Sequence, residues 1–325
     1  MRAAALLTAI SLAAPAAAGD FLLQFPLDCT LGEDCHIQQY TDHDPGPGAA
    51  DFTCGSLSYE GHKGTDIALP YLSGMQAGVT VRAAADGVVL GTRDSMADEY
   101  ATDGNAARIA GKECGNGVVL RHGGGWETQY CHMKQGSIRV ESGMKVKAGD
   151  PLGQVGLSGN TQFPHLHLSV RKDGEVADPF APDARGSCGP DTGRTLWAEP
   201  PPYQPGGVLG AGFSTAVPDY GAIKNGTADE APLAADAPAF VFWAYAFGGR
   251  AGDSLELTVA GPEGELVSQR ETLTKNQAQF FRAAGRRLRG GHWPAGTYTG
   301  RARLLRNGDE VDSFIRSMEV PRPRG

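Results

Sequence analysis

The stretch FPHLHLSV, residues 163–170, alternates histidine and leucine: His165 and His167 are interleaved with Leu166 and Leu168. A period of two is the period of a β-strand, whose successive side chains point to opposite faces. The pattern predicts a strand that buries both leucines and presents both histidines on the other face. Imidazole is the commonest side-chain metal ligand and the usual general base near neutral pH. A polar strand face is the competing interpretation of so short a motif, so partners elsewhere must decide.

A second segment, GHKGTD, supplies partners of the kind that a metal or catalytic site needs. It places His62 and Asp66 in an H-x-x-x-D spacing. On a helix this spacing would put both side chains on one face, but Gly61 and Gly64 interrupt the segment and DIALP continues like a short strand. We therefore predict a loop that leads into a strand, with a simple hydrogen-bonded turn as the alternative interpretation.

A third histidine, His132, lies in GNGVVLRHGGGWETQYCHM, which has the pattern of a β-hairpin. The first predicted strand is 118–121 and the second is 126–132. The glycine turn at 123–125 joins them. Parity along the second strand predicts that Tyr130 and His132 share one face. Cys131 then points to the other face, where its sulfur can be oxidised in a bridge instead of competing for a metal. The other histidines are interpreted as structural, solvated or without a spaced partner: His36, His43, His122 and His292.

One part of the chain thus offers five candidate site residues: His62, Asp66, His132, His165 and His167. Three protein ligands with an open fourth position make a catalytic zinc site, which leaves two residues for proton transfer and charge stabilisation. A metal held in this way lowers the pKa of bound water and polarises a carbonyl group, which is the chemistry of amide hydrolysis. Other hydrolase signatures are missing from the sequence, because it has no H-E-x-x-H and its GLSGN lacks the last glycine of G-x-S-x-G.

In its motifs and their order, the chain resembles the lysostaphin-like, LytM-type zinc peptidases of the bacterial cell wall, the M23 family. The resemblance runs from about Gly61 to Pro179 and includes GHKGTDIAL, VRAAADGVV, the predicted hairpin, VESGMKVKAGDPLGQVGLSGNT and PHLHLSVRKDGEVADP. It implies a compact antiparallel β domain with the metal in a groove, and cleavage of peptide bonds in peptidoglycan stems or cross-bridges by a zinc-activated water. By resemblance, the zinc ligands are His62, Asp66 and His167, with water as the fourth. His132 and His165 are then the catalytic pair, serving as general base and stabilising the tetrahedral transition state.

The sequence departs from the family pattern at a few places around the site. Phe163 stands where a glycine is usual before the proline, Leu168 where an aromatic residue is usual, and Ser169 where an acidic residue is usual. The polar segment 93–113 is an insertion, interpreted as a surface loop with some helix, that could narrow the groove. These differences bear on substrate preference and leave the metal ligands in place.

The N-terminus and the cysteines both predict export. Arg2, an apolar run and the small residues Ala16 to Ala18 have the pattern of a secretory signal peptide, predicted at residues 1–18. No later stretch reaches spanning length, so we expect no stable membrane span and a periplasmic or cell-wall-associated protein secreted across the inner membrane. Six cysteines, all before residue 189, suggest disulfides, and Cys114–Cys131 across the hairpin is one predicted pair.

Composition predicts a mainly β chain with two domains. We predict a peptidase domain at 19–198, a Pro/Gly-rich linker at 199–207 and a small β-sandwich, of immunoglobulin-like type, at 208–325. The segment AFVFWAYAFGG in the second domain is interpreted as core rather than as a surface for carbohydrate stacking. The second domain could steer the enzyme to the wall, contact a cell-envelope protein or cover the groove.

The net charge and the distribution of arginines limit the classes of binding partner. The net charge of −8 argues against a nucleic-acid surface. Seven arginines nevertheless cluster in the second domain, and they are either a site for an anionic polymer or a solvated face: Arg282, Arg286, Arg287, Arg289, Arg301, Arg303 and Arg306.

Three functions fit the candidate site. The first is an exported zinc endopeptidase that acts on peptidoglycan peptides. The second is a non-catalytic regulator or scaffold of other wall hydrolases; such members of the family typically lack one or more ligands, whereas this sequence has them all. The third, a zinc carboxypeptidase of the D-Ala-D-Ala type, is disfavoured because that group has a longer His-to-Asp spacing than the one between His62 and Asp66.

Overall fold

The computed structural model of the protein describes residues 21–184, 186–189 and 193–322. The predicted signal peptide at 1–18 lies outside these residues. Within them the chain forms three short helices, α1 (Leu72–Ala77), α2 (Ala106–Ile109) and α3 (Tyr220–Asn225). None of the helices in the described ranges has the length and apolar character that crossing a bilayer would require.

The strands of the first half of the chain are β1 (His36–Gln39), β2 (Thr65–Ala68), β3 (Thr80–Arg82), β4 (Gly87–Arg93), β5 (Asn116–Arg121), β6 (Trp126–Met133), β7 (Lys145–Val146), β8 (Pro151–Gln154), β9 (His165–Lys172) and β10 (Glu175–Val176). Those of the second half are β11 (Gly207–Ser214), β12 (Ala239–Gly249), β13 (Ser254–Gly261), β14 (Gly264–Thr272), β15 (Gln277–Arg287), β16 (Gly296–Arg306) and β17 (Asp309–Val320). The expectation of a mainly β chain is confirmed.

The first domain is built on one eight-stranded antiparallel sheet. Its strand order is β1-β2-β9-β6-β5-β4-β7, with β10 added to β9, and β3 pairs separately with β8. The order brings β2, β9 and β6 side by side, although they are far apart in sequence. These three strands carry or adjoin all five candidate site residues, so the topology of the sheet assembles the site.

The strand prediction for the histidine-leucine stretch is confirmed. Leu166 and Leu168 have no exposed surface and pack in the core of the first domain with Ile67 and Tyr130. Burial of a leucine side chain is worth about 1.5–3 kcal/mol, so the apolar face of β9 fixes the orientation of the strand and with it the position of the histidine face. The hairpin is also confirmed, with β5 and β6 joined by a short 3-10 turn at Gly123–Gly125.

Three disulfides join the six cysteines: Cys29–Cys35, Cys54–Cys188 and Cys114–Cys131. The predicted pair across the hairpin is confirmed. Cys54–Cys188 links positions 134 residues apart and so ties the start of the first domain to its end.

The second domain packs a three-stranded sheet, β11-β12-β15, against a four-stranded sheet, β14-β13-β16-β17. Its last hairpin turns at Asn307 and Gly308, both in the left-handed region with φ of 55° and 93°, as the Asn-Gly pair predicts. The aromatic strand β12 is buried on both faces, which confirms that AFVFWAYAFGG is core. Phe240 and Phe242 point into the sandwich, whereas Trp243 and Tyr245 join a separate apolar cluster. The immunoglobulin-like type of the sandwich stays a prediction.

The two domains are in contact along a polar and aromatic seam. The Gln38 amide in β1 donates to the carbonyl of Ala278 at 2.9 Å, and the Gln279 amide donates to Gln38 Oε1 at 3.0 Å. The Lys224 ammonium group lies 4.5 Å from the ring centre of Tyr100, a residue of the 93–113 insertion. The second domain therefore touches both an edge strand of the first domain and its insertion.

Candidate metal centre

The sheet register places three candidate residues on one face. Asp66 in β2 lies directly opposite His167 in β9, and Ala68 lies opposite His165. Partners in an antiparallel pair project to the same face, so the carboxylate and both histidines of the H-x-H motif share a surface. His62 comes from the turn before β2, so the predicted loop leading into a strand is confirmed.

The ligating atoms of His62, Asp66 and His167 converge. Asp66 Oδ1 lies 2.7 Å from Nδ1 of His167 and 3.1 Å from Nε2 of His62, and the two ring nitrogens lie 3.1 Å apart. Tetrahedral zinc with bonds of about 2.0–2.1 Å keeps its ligand atoms about 3.3 Å apart, so the three atoms have nearly the spacing that such an ion needs. Two imidazoles and one carboxylate are also a donor set that suits zinc. These residues therefore fit the metal that the sequence predicts.

Hydrogen bonds on the far side of each ring fix which nitrogen faces the centre. His62 Nδ1 donates to the carbonyl of Tyr40 at 2.7 Å, which leaves Nε2 with a lone pair toward Asp66. His167 Nε2 lies 2.9 Å from Ser169 Oγ, which leaves Nδ1 toward the same carboxylate. Metal-binding histidines are typically held in this way, because the outer hydrogen bond sets both the tautomer and the ring orientation.

Gly64 makes room for one of these rings. A Cβ added at residue 64 would lie 2.7 Å from Nε2 of His167 and 2.6 Å from the carbonyl oxygen of Leu168. Both distances are shorter than carbon–nitrogen and carbon–oxygen contacts allow. The glycine of the GHKGTD motif is therefore required by the close approach of β9.

His132 and His165 lie beside the three converging residues. Their ring centres are 4.6 Å apart, and His165 Nε2 is 3.5 Å from Asp66 Oδ1. His132 Nδ1 donates to the carbonyl of Ser158 at 2.8 Å, and His165 Nδ1 donates to that of Phe163 at 2.9 Å. Each ring thus keeps Nε2 as its free nitrogen.

Burial sets the charge of the site. Burial lowers the pKa of His132 well below its usual value, and the neighbouring His165 and His167 lower it further. Burial also lowers the pKa of His165, although the Asp66 carboxylate opposes this. For Asp66, burial would raise the pKa, but His62 and the other histidines hold it well below its usual value. The site therefore combines an ionised carboxylate with neutral imidazoles in the catalytic pair at neutral pH.

The parity prediction for the second hairpin strand is wrong. Tyr130 is buried in the core and its hydroxyl accepts from the Ala84 amide at 2.7 Å, whereas His132 faces the site. His132 has a φ of 61°, in the left-handed region, and this local reversal ends the simple alternation. Cys131 lies opposite His167 in the register and so on the site face of the sheet. Its sulfur is held in the bridge to Cys114, as expected, and is not free to bind metal.

Several residues near the site were not singled out by the sequence. Tyr40 and Ser158 contribute carbonyl oxygens, which any residue type could supply, so no sequence signal marks them. Two aromatic rings also lie beside site histidines, and the sequence marked Phe163, one of them, only as a departure from the family pattern. Tyr59 lies 4.4 Å from the His62 ring and is half exposed, and Phe163 lies 4.5 Å from the His165 ring.

The 93–113 insertion is attached beside the site, as its position in the sequence suggests. It contains α2, so the predicted short helix is confirmed. The amide of Ala101 donates to the carbonyl of Thr161 at 2.9 Å, and the Gln162 side chain donates back to the carbonyl of Ala101. The insertion therefore borders the loop that leads into β9.

A second group with ligand-type side chains is not a metal site. Cys29, Asp34 and Cys35 lie close together. The two sulfurs are joined in a disulfide, so neither is available as a thiolate ligand.

Comparison with known proteins finds similarity in the segment that carries the site. Residues 60–179 match the model of peptidase family M23. The DD-carboxypeptidase/endopeptidase Mpg of Neisseria meningitidis is 33% identical over 120 residues, which cover 37% of this chain and 22% of Mpg. The peptidoglycan DD-endopeptidase ShyA of Vibrio cholerae is 36% identical over 109 residues, covering 34% of this chain and 20% of ShyA. The cell division protein DipM of Caulobacter vibrioides is 32% identical over 105 residues, which cover 32% of this chain and 16% of DipM. The match thus spans about a fifth of the length of these relatives.

Similar solved structures include a zinc-containing peptidase from Vibrio cholerae, 23% identical, with a TM-score of 0.29 over 49% of this chain and 41% of that one. A variant of the catalytic domain of the M23 protein EnpA from Enterococcus faecalis is 26% identical, with a TM-score of 0.29 over 43% of this chain and 95% of that one.

Proposed function

We propose that this chain is an exported zinc endopeptidase of the M23 type that hydrolyses peptide bonds of bacterial peptidoglycan. The match of residues 60–179 to the model of peptidase family M23 supports the proposal. The observation that carries the proposal is the convergence of a complete residue set at one centre. Three donor atoms lie within 3.1 Å of one another, and two further buried histidines lie beside them. A member that served only as a scaffold would not need all five.

The three converging residues are the proposed metal ligands: His62, Asp66 and His167. Zinc bound there would act as a Lewis acid that polarises the peptide carbonyl and makes water acidic enough to attack near neutral pH. The chain contributes the fixed geometry. Because Tyr40 and Ser169 hold the outer nitrogens of the two histidines, the ligand set needs little reorganisation to bind.

His132 and His165 are the proposed catalytic pair. Both are neutral at neutral pH because burial lowers the pKa of each, so their free Nε2 atoms can accept a proton from water. Once protonated, an imidazole beside the reacting carbon can donate to the negative oxygen that develops there, or return the proton to the leaving amine. One residue as general base and the other as oxyanion stabiliser is the arrangement we propose.

The proposed substrate enters between Tyr59 and Phe163, whose rings flank His62 and His165. We propose a peptidoglycan peptide as substrate because two of the relatives are named as enzymes that cleave DD bonds. The phenyl ring of Phe163 stands where the family pattern has a glycine, so we expect this side of the cleft to accept fewer substrates.

Export to the periplasm or the cell wall completes the proposal. All six cysteines are paired in disulfides, and disulfides persist in oxidising compartments outside the cytoplasm. The name of the relative ShyA, a peptidoglycan DD-endopeptidase, also refers to cell-wall chemistry.

The test is digestion of purified peptidoglycan by the mature protein, residues 19–325, followed by mass spectrometry of the products. Parallel samples contain a zinc chelator, or the His165→Ala variant loaded with zinc. Shorter stems or uncross-linked fragments that appear only with the active, metal-loaded chain would establish the activity and identify the bond. If zinc is bound at one ion per chain and no products form, the chain is a regulator or scaffold instead.

A further inference from the structure

A groove in the second domain lies between the edge strands of its two sheets. One side is the start of β14, the other is the end of β15, and the segment 288–294 closes one end. Its volume is about 960 Å³. It belongs to the part of the chain that the family match does not cover.

The charged residues of the groove are free of ion pairs. Arg286, Arg287 and Arg289 are exposed, and in the described residues none has a carboxylate within 4.0 Å. The other members of the arginine cluster are neutralised. Arg282 pairs with Glu271, Arg301 and Arg303 pair with Glu310, and Arg306 pairs with Asp253. The structure thus divides the cluster into a paired set and a free set, and the free set lines the groove with His292.

The opposite wall of the groove is acidic. Glu263, in the turn before β14, and Glu265, in β14, are exposed and also lack an ion pair among the described residues. Two lining rings are held by hydrogen bonds: the Trp293 indole donates to the carbonyl of Ala237 at 2.9 Å, and the Tyr298 hydroxyl donates to that of Pro294 at 3.0 Å. Both rings are buried, so they shape the groove without offering a face for a sugar to stack on.

This pattern of charge selects one class of ligand. Guanidinium groups bind carboxylates with paired hydrogen bonds and orient them. The two glutamates would repel a polymer that is anionic throughout, but they would bind an ammonium group. A peptide with free carboxylates and a free amine meets both walls, and an uncross-linked peptidoglycan stem that ends in a diamino acid is such a peptide.

We propose that this groove is a second binding site for peptidoglycan stem peptides, with carboxylates on the arginine wall and the amine on the glutamate wall. The inference rests on the proposed function, because it takes the polymer cleaved at the metal centre as its ligand. The protein has a net charge of −8, so most of its surface repels anions. The three unpaired arginines make this groove a local exception that attracts them.

The binding test uses the full chain with a zinc chelator present, so that hydrolysis plays no part. Purified sacculi are sedimented with the wild type, with Arg286→Ala/Arg287→Ala/Arg289→Ala, and with Lys112→Ala/Lys145→Ala/Lys275→Ala, which removes the same charge elsewhere. We expect the arginine variant to bind about tenfold more weakly or worse and the lysine variant to bind like the wild type. Equal binding by all three chains, or equal loss in both variants, would overturn the proposal. Thermal unfolding of each variant verifies that it is folded.

A second measurement identifies the ligand. Titration calorimetry measures the binding of a soluble disaccharide-tetrapeptide whose diamino acid carries a free amine. The same measurement is made with the N-acetylated form of this ligand, and the two affinities are compared. Glu263→Gln/Glu265→Gln should weaken binding of the free-amine form and leave the acetylated form unchanged. If the glutamine variant binds sacculi more tightly, the ligand is a uniformly anionic polymer and the proposal is wrong. Failure of hydrolysis in the digestion assay, with binding intact here, would refute the proposed function alone.

Discussion

The hydroxyl of Ser169 lies 2.9 Å from Nε2 of His167 and donates to the carbonyl of Lys63 at 2.8 Å. It therefore accepts from the histidine, and it ties β9 to the turn that carries His62. In the family pattern an acidic residue is usual at this position. A hydroxyl at this position fixes the orientation of the imidazole without placing a second negative charge beside it.

Removal of this hydroxyl should weaken metal binding without unfolding the chain. For Ser169→Ala we expect zinc affinity to fall by about 10–100-fold, because loss of an outer-sphere partner typically has that effect. Ser169→Thr keeps the hydroxyl and should retain most of the affinity. Competition with a chromogenic chelator measures both variants, and an unchanged affinity of the alanine variant would show that Ser169 does not position His167.

The five site residues should separate into two classes of variant. His167→Ala should lose the bound zinc, whereas His132→Ala and His165→Ala should keep it and lose turnover by at least about 100-fold, as expected for a proton-transfer residue. Metal content by atomic emission and hydrolysis of peptidoglycan give the two readouts. His122→Ala is a matched control, because His122 is also buried, just after β5, but hydrogen-bonds to the Asp86 carbonyl and to Thr128, away from the centre. Loss of zinc in the His132 or His165 variant would move that residue into the ligand set.

A methyl group at residue 64 should disrupt the site by displacing the ring of His167. Gly64→Ala places a carbon 2.7 Å from Nε2 of His167, so the ring or the strand must shift. We expect loss of zinc binding together with a destabilisation of about 1–3 kcal/mol, which is typical of overpacking. Gly91→Ala is the control, since a Cβ there has no heavy atom within 4 Å. Chemical unfolding and metal content are measured for both, and a metal-loaded Gly64→Ala chain would contradict the prediction.

A buried ion pair at the end of the peptidase domain should give stability a particular pH dependence. His43 Nε2 lies 2.8 Å from Asp178 Oδ2, and its Nδ1 lies 2.7 Å from the carbonyls of Ala184 and Ser187. Both nitrogens face acceptors, so the ring is held protonated. Burial alone would lower the pKa of His43, but Asp178 and the two carbonyls outweigh burial and raise it above 6.5.

Because the folded-state pKa is raised, the stabilisation by His43 is complete below its unfolded-state pKa and is lost as pH rises through the folded-state pKa. We expect His43→Gln to lose about 3–5 kcal/mol at slightly acid pH, as for other broken buried pairs, and to approach the wild type at alkaline pH. Urea unfolding of both chains across this range measures the difference. A difference that does not change with pH would show that His43 is not protonated in the folded chain.

The domain boundary proposed at 199–207 can be tested by truncation. Tyr203 in the linker donates its hydroxyl to Asp51 at 2.8 Å and packs near Tyr40 and Phe52, so this residue is part of the first core. A fragment 19–204 should therefore fold and bind one zinc ion. A fragment 19–198 should be less stable by about 1–2 kcal/mol, because it loses a half-buried aromatic ring. Equal melting temperatures, or an unfolded 19–204 fragment, would contradict the proposed boundary.

The sequence predicts local features of this protein better than long-range ones. Strand alternation places Leu166 and Leu168 in the core because the period of two is a local property of the backbone. The same rule fails at His132, because its positive φ depends on contacts with Ser158 and the Cys114 segment that no local pattern encodes.

Pairings across the fold are the least predictable features. The sequence marks Ser169 as a departure from the family pattern two residues after His167, but it does not indicate the hydrogen bond between their side chains. The contact between His43 and Asp178 joins positions 135 residues apart, and nothing in either neighbourhood indicates it. The free and paired arginines differ only in whether a glutamate or aspartate from another strand reaches them, which is a property of strand register.

The Cys54–Cys188 bridge also determines how a mechanical load would cross the peptidase domain. A covalent path from the N-terminal residues to the second domain can pass through this bond and bypass residues 55–187. All five site residues lie in the bypassed loop. Tension between the two ends of the chain, as when both ends are attached to a stretched polymer network, is then carried by the bridge and not by the backbone of residues 55–187. Only β1 and Tyr40, which lie before Cys54 and contact β2 and His62, would pass part of that load to the candidate site.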